Sequence, residues 1–104
     1  MTSPSPTVGV QRADGVATLT LSRPQALNAL DFAMMDALVD VTREIADDAS
    51  LRVVVLRGEG RHFMAGGDIR SFEGELARAP AEREALFTRV VDRVHAAIEN
   101  LVRM

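Results

Sequence analysis

Val53-Val54-Val55-Leu56-Arg57-Gly58-Glu59-Gly60-Arg61-His62-Phe63-Met64-Ala65-Gly66-Gly67-Asp68 passes from a β-branched block straight into a glycine-rich loop. The apolar tetrapeptide predicts a strand, and its lack of alternation suits a strand covered on both faces, as parallel strands are. The loop then leaves the carboxyl end of that strand, where ligands gather in α/β sheets. Gly66 and Gly67 precede a short helix expected over Asp68 to Glu75, broken near Gly74 and before Pro80. Backbone N–H groups bare of side chains, at the positive end of a helix, suit an oxygen that becomes negative during a reaction.

Working backwards, Asp31 is an N-cap for a helix to about Asp47, with Met34, Met35, Leu38, Val41, Thr42 and Ile45 as its buried stripe. Before it, Val8 to Gln11 and Val16 to Leu21 read as strands joined through Asp14-Gly15, a hairpin dipeptide. Ala17, Leu19 and Leu21 share one face of the second strand. Strand, helix and strand form a βαβ unit, so the fold class is α/β. Working forwards, a last helix is expected over Ala81 to Val102, with Leu86 or Phe87, Val90, Val91, Val94, Ile98, Leu101 and Val102 on its apolar side. Residues 1–7 read as a frayed Ser/Pro tail and 8–104 as one domain.

The chain has 104 residues, 12 basic and 15 acidic side chains and a net charge of −3. All the basic residues are arginines, scattered along the chain, and Tyr and Trp are absent, which argues against nucleic acid as a partner. No apolar run approaches the length that spans a bilayer, and no basic and apolar leader opens the chain, so a cytoplasmic location without membrane association is expected. Without cysteine there is neither a disulfide framework nor a thiolate metal site. Phe63, the sixth position of the run that Gly58-Glu59-Gly60 opens, would block a dinucleotide's pyrophosphate. His62, Asp68 and Ser71 lack the strained elbow of a nucleophile site, and His95 reads as a helix-boundary residue.

Arg23-Pro24-Gln25-Ala26-Leu27-Asn28-Ala29-Leu30, followed after a helix and a Val-rich strand by Gly58 to Ile69, resembles the crotonase superfamily of enoyl-CoA hydratases and isomerases. The resemblance implies a spiral of ββα turns, here incomplete, in proteins assembled as trimers or paired trimers. It implies a coenzyme A thioester as substrate, with no separate cofactor and no metal. The Gly67 N–H matches the first donor of the family's oxyanion hole. Gln25, Ala26 and Leu27 match the loop along the pantetheine and phosphates, and Ala65, Asp68 and Ile69 match contacts around the adenine. Arg70 is placed to meet a CoA phosphate, with Arg23 a second candidate.

The family's second oxyanion donor and its glutamates follow later than Met104. The resemblance therefore covers the first part of the catalytic domain, and the chain by itself is expected to be inactive. Within the family, hydration of a 2-enoyl-CoA in fatty acid degradation is the expected reaction. The alternative is a non-catalytic module that binds acyl-CoA or associates with itself through Val90, Val94 and Ile98.

Overall fold

The computed structural model describes residues 7–104, the side chain of Leu76 excepted. Strands β1 (Val8–Ala13) and β2 (Val16–Leu21) form an antiparallel hairpin, Val8 opposite Leu21 and Ala13 opposite Val16. Asp14 (φ 53°) and Gly15 (φ 79°) both adopt left-handed backbone, as a two-residue hairpin turn demands. Strand β3 (Val53–Gly58) lies parallel to β2, with Leu19 beside Leu56. The sheet order is therefore β1-β2-β3. Of the expected tail, Thr7 lies among the described residues, and its carbonyl accepts a 2.8 Å hydrogen bond from the Ser22 N–H.

Helix α1 (Phe32–Asp47) starts where the sequence places it, because the Asp31 carboxylate accepts a 2.8 Å bond from the Met34 N–H. Met34, Met35, Val41, Thr42 and Ile45 are buried as expected, joined by Val39, while Leu38 is half-buried. They meet Val8, Ala17, Leu19 and Leu21 in the core. Full burial of Leu19, Leu21, Met34 and Ile45 stabilises the unit by about 1.5–3 kcal/mol each.

Two expectations need correction. β3 is not covered on both faces: Val53 is 51%, Val55 44% and Leu56 39% exposed. It stands at the edge of the sheet, and α1 covers β2 more completely than its neighbour. The second concerns α3 (Pro80–Val102), whose apolar positions do not form one buried stripe. Val90 and Val94 pack against the core and Ala97 is buried, but Val91, Ile98 and Val102 are exposed. Helix α3 packs mainly on α1, and one neighbour buries a narrower stripe than the pattern offers.

Between them, α2 (Ile69–Glu73) and a 3₁₀ turn (Gly74–Ala77) follow the expected break near Gly74. Phe72 of α2 ties the helices together, its ring centroid 5.2 Å from that of Phe32 and 5.8 Å from that of Phe87.

Candidate active site

The two stretches that frame the fold, residues 23–30 and 58–69, lie against each other. The Ala65 N–H donates to the Leu27 carbonyl (3.1 Å), the Leu30 N–H to Gly66 (2.8 Å) and the Asp68 N–H to Leu30 (2.9 Å). This is one parallel bridge, Leu30 beside Gly67. In a parallel bridge the bonds run through the residues flanking the partner, so Gly67 turns its own N–H away from Leu30. Among the described residues that N–H donates to nothing.

Gly67 lines an open cleft of about 390 Å³ with Met64, Phe72, Val90, Val94 and His95. A Cβ on Gly67 would stand 2.9 Å from the Phe72 ring, so the ring fits against bare backbone. Gly66, at φ +106°, sits where a side chain would be strained although nothing crowds it. These two glycines thus have different reasons: one admits a ring, the other a turn.

Asn28 welds the loops. It is fully buried in left-handed backbone (φ 56°), which Asn tolerates better than most residues. Its Nδ2 donates to the carbonyls of Glu59 (2.9 Å) and His62 (2.8 Å), and its Oδ1 accepts from the Arg23 N–H (2.8 Å). Gly58 completes the joint, since a Cβ there would lie 2.2 Å from the Phe63 carbonyl oxygen. The sequence reading gives neither residue this joining role; the signal for it is Asn28 inside the first motif, paired with the glycine that ends β3.

Arg23 corrects the expectation that it meets a phosphate. Its side chain is 17% exposed, and its Nη1 donates to the Ala29 carbonyl (2.7 Å) and pairs with Asp68 Oδ2 (3.0 Å). Its Nε lies 3.6 Å from Asp31 Oδ2. The guanidinium is therefore fixed between the N-cap carboxylates of α1 and α2. Asp68 also accepts from the N–H groups of Arg70 (3.0 Å) and Ser71 (3.4 Å). The Arg23 hydrogen bond, with help from those two N–H groups, holds the Asp68 carboxyl below the usual carboxylate range, against the opposing effect of burial. Its backbone is engaged as well, the N–H on the Leu30 carbonyl and the carbonyl on the Phe72 N–H (3.3 Å), so Asp68 leaves a ligand only the 13% of its side chain that is exposed.

The other expected contact residues are accessible. Gln25 and Leu27 are exposed and Ala26 is half-buried, on the 3₁₀ turn Pro24–Ala26 and the residue after it. Leu27 has φ 55°, an uncommon backbone for leucine, and its carbonyl receives the Ala65 N–H. Ala65, Ile69 and Arg70 are exposed, and the Arg70 guanidinium has no ion pair among the described residues. His62, Asp68 and Ser71 are not joined as a nucleophile set: Asp68 meets Ser71 through its backbone N–H. Among the described residues no three His, Asp or Glu side chains converge as metal ligands, and no helix is long and apolar enough to cross a membrane.

Residues 16–101 match the family described as Enoyl-CoA hydratase/isomerase. Over 60 residues the chain is 43% identical to 3-hydroxyisobutyryl-CoA hydrolase 1 of Arabidopsis thaliana, covering 58% of this chain and 16% of that protein. The structure of Pseudomonas aeruginosa AtuE superposes with a TM-score of 0.78 at 34% identity, covering 90% of this chain and 35% of that one. Enoyl-CoA hydratase EchA8_6 from Mycobacterium marinum superposes with a TM-score of 0.65 at 39% identity, covering 69% of this chain and 34% of that one. Across the curated relatives the chain spans between 16% and 25% of their lengths. The expected crotonase fold is thereby confirmed, as a partial α/β domain. With that fold and a match over most of its length, the chain belongs to the enoyl-CoA hydratase/isomerase family.

Proposed function

We propose that this chain supplies one donor of an oxyanion hole, the Gly67 N–H, together with part of the groove that holds a coenzyme A thioester. The observation that carries the reading is an amide with no partner among the described residues, on the wall of a cleft, in a loop fixed from three sides by Leu30, Asn28 and Arg23. An N–H held in place before reaction need not reorient as a thioester carbonyl gains enolate character, and such a donor is worth about 2.7–4 kcal/mol in the transition state. Gln25, Ala26 and Leu27 would follow the pantetheine, and Arg70 would meet a phosphate of CoA. Ala65, Asp68 and Ile69 would flank the adenine. Hydration of a 2-enoyl-CoA is the reaction we assign to the assembled enzyme, as a homo-oligomer in the cytoplasm, although the family's relatives include CoA-thioester hydrolases.

Calorimetric titration tests this. Butyryl-CoA should bind more tightly than free CoA, by about two- to tenfold for one added hydrogen bond. In Gly67→Pro, with folding checked by circular dichroism, that advantage should vanish while CoA affinity stays. An advantage undiminished in the variant would defeat the assignment. A second reading, self-association, draws on the exposed Ile98 and Val102 of α3 and on the open strand β3.

A further inference from the structure

The cleft beside Gly67 is apolar with one exception. Of the ten residues around it, His95 alone carries an ionisable side chain; Leu30, Met35, Met64, Phe72, Val90 and Val94 make up most of the rest. His95 lies on α3 one turn after Val91 and beside Val94, and its imidazole has no hydrogen bond or ion pair among the described residues. A leucine or phenylalanine there would continue the apolar wall. A neutral imidazole instead offers one donor and one acceptor to whatever occupies the cleft.

Building on the thioester reading above, we propose that His95 is a specificity-determining residue. With the thioester carbonyl at Gly67, its imidazole meets an oxygen substituent on the acyl chain, a hydroxyl or keto group, so that the cleft favours oxygenated acyl groups over plain aliphatic ones. The competing destination is a neighbouring apolar cleft of about 190 Å³, lined by Leu19, Leu21 and Ile98 and sharing Met64 and Val94 with the first. A chain that ran there would bypass the imidazole.

Calorimetry with 3-hydroxybutyryl-CoA, butyryl-CoA and octanoyl-CoA separates the two routes, while the Gly67 amide resonance is followed in the same titrations. The expected result is that 3-hydroxybutyryl-CoA binds about fivefold tighter than butyryl-CoA, the gain of one hydrogen bond. His95→Phe should abolish that preference without weakening butyryl-CoA, and His95→Gln should keep part of it. Equal affinities in the wild type, a preference that survives in His95→Phe, or tightest binding of octanoyl-CoA would each overturn the proposal while Gly67 still responds. If no ligand moves the Gly67 resonance, the thioester reading itself fails and takes this inference with it.

Discussion

Asn28 binds three backbone groups from inside the protein, and each belongs to a different part of the two loops. Replacing it with Ala removes the partner of two loop carbonyls and an N–H in part-buried bonds, and also puts a poor residue in left-handed backbone. Urea unfolding of Asn28→Ala should show a loss of about 2–4 kcal/mol. Asn28→Asp should fare little better, since a carboxylate has no N–H for the Glu59 and His62 carbonyls. Gly58→Ala should cost about 2–3 kcal/mol, because its Cβ would meet backbone oxygen and not a yielding side chain. Asp68 sets the pH response. Its folded pKa lies below the unfolded value, so its stabilising effect is complete above about pH 4 and disappears as pH falls through the folded pKa. Amide exchange of Ala65 and Asp68, whose N–H groups hold the loop, should therefore accelerate on acidification, and in Asp68→Asn the loop should exchange fast at every pH. A wild-type loop with pH-independent exchange, beyond the chemical rate, would contradict this. The sequence shows the motif residues but not this staple, because Arg23, Asp31 and Asp68 are distant in the chain and ordinary surface charges by type.

At the level of elements, α1 was legible because its cap and its stripe agree: Asp31 bonds the Met34 N–H, and the apolar positions repeat at helical spacing. The hairpin was legible for the same reason, through Asp14-Gly15 and the alternating β2. β3 and α3 were misread where hydrophobic pattern promised more cover than their neighbours provide. Pattern states what a face could bury, whereas burial depends on how many elements reach it. Beside the apolar contacts of Val90, Val94 and Ala97, α3 is pinned on α1 by polar bonds that periodicity does not show. Buried Asn100 donates to the Val39 carbonyl (3.2 Å) and to Thr42 Oγ1 (3.1 Å), while Thr42 Oγ1 donates to the Leu38 carbonyl (2.6 Å). Asn100→Ala should cost about 1–3 kcal/mol, read by thermal unfolding with a two-state fit. A double-mutant cycle with Thr42→Val should give a coupling of about 0.5 kcal/mol or more. Strict additivity would remove the pin from the account.

The whole molecule is more extended than its length requires. Its radius of gyration is 14.6 Å and its extents are 49 × 28 × 21 Å, against about 13 Å expected for a compact domain of this size. A long α3 resting mainly on one helix accounts for that shape. The open edge of β3 and the line Val91, Ile98 and Val102 leave apolar surface in contact with water. Sedimentation velocity should show a mass that rises with protein concentration in the high micromolar range, and the pair Val55→Lys and Ile98→Lys should suppress the rise. A mass constant over that range would contradict it.

In the proposed function the Gly67 amide waits for a thioester oxygen. Two-dimensional ¹H–¹⁵N spectra of the chain, recorded as butyryl-CoA is added, test it most directly. The predicted result is a downfield shift of the Gly67 amide proton and slowed exchange, larger with butyryl-CoA than with CoA alone. A Gly67 resonance that stays put while Gln25, Leu27 and Arg70 respond to the nucleotide would contradict it.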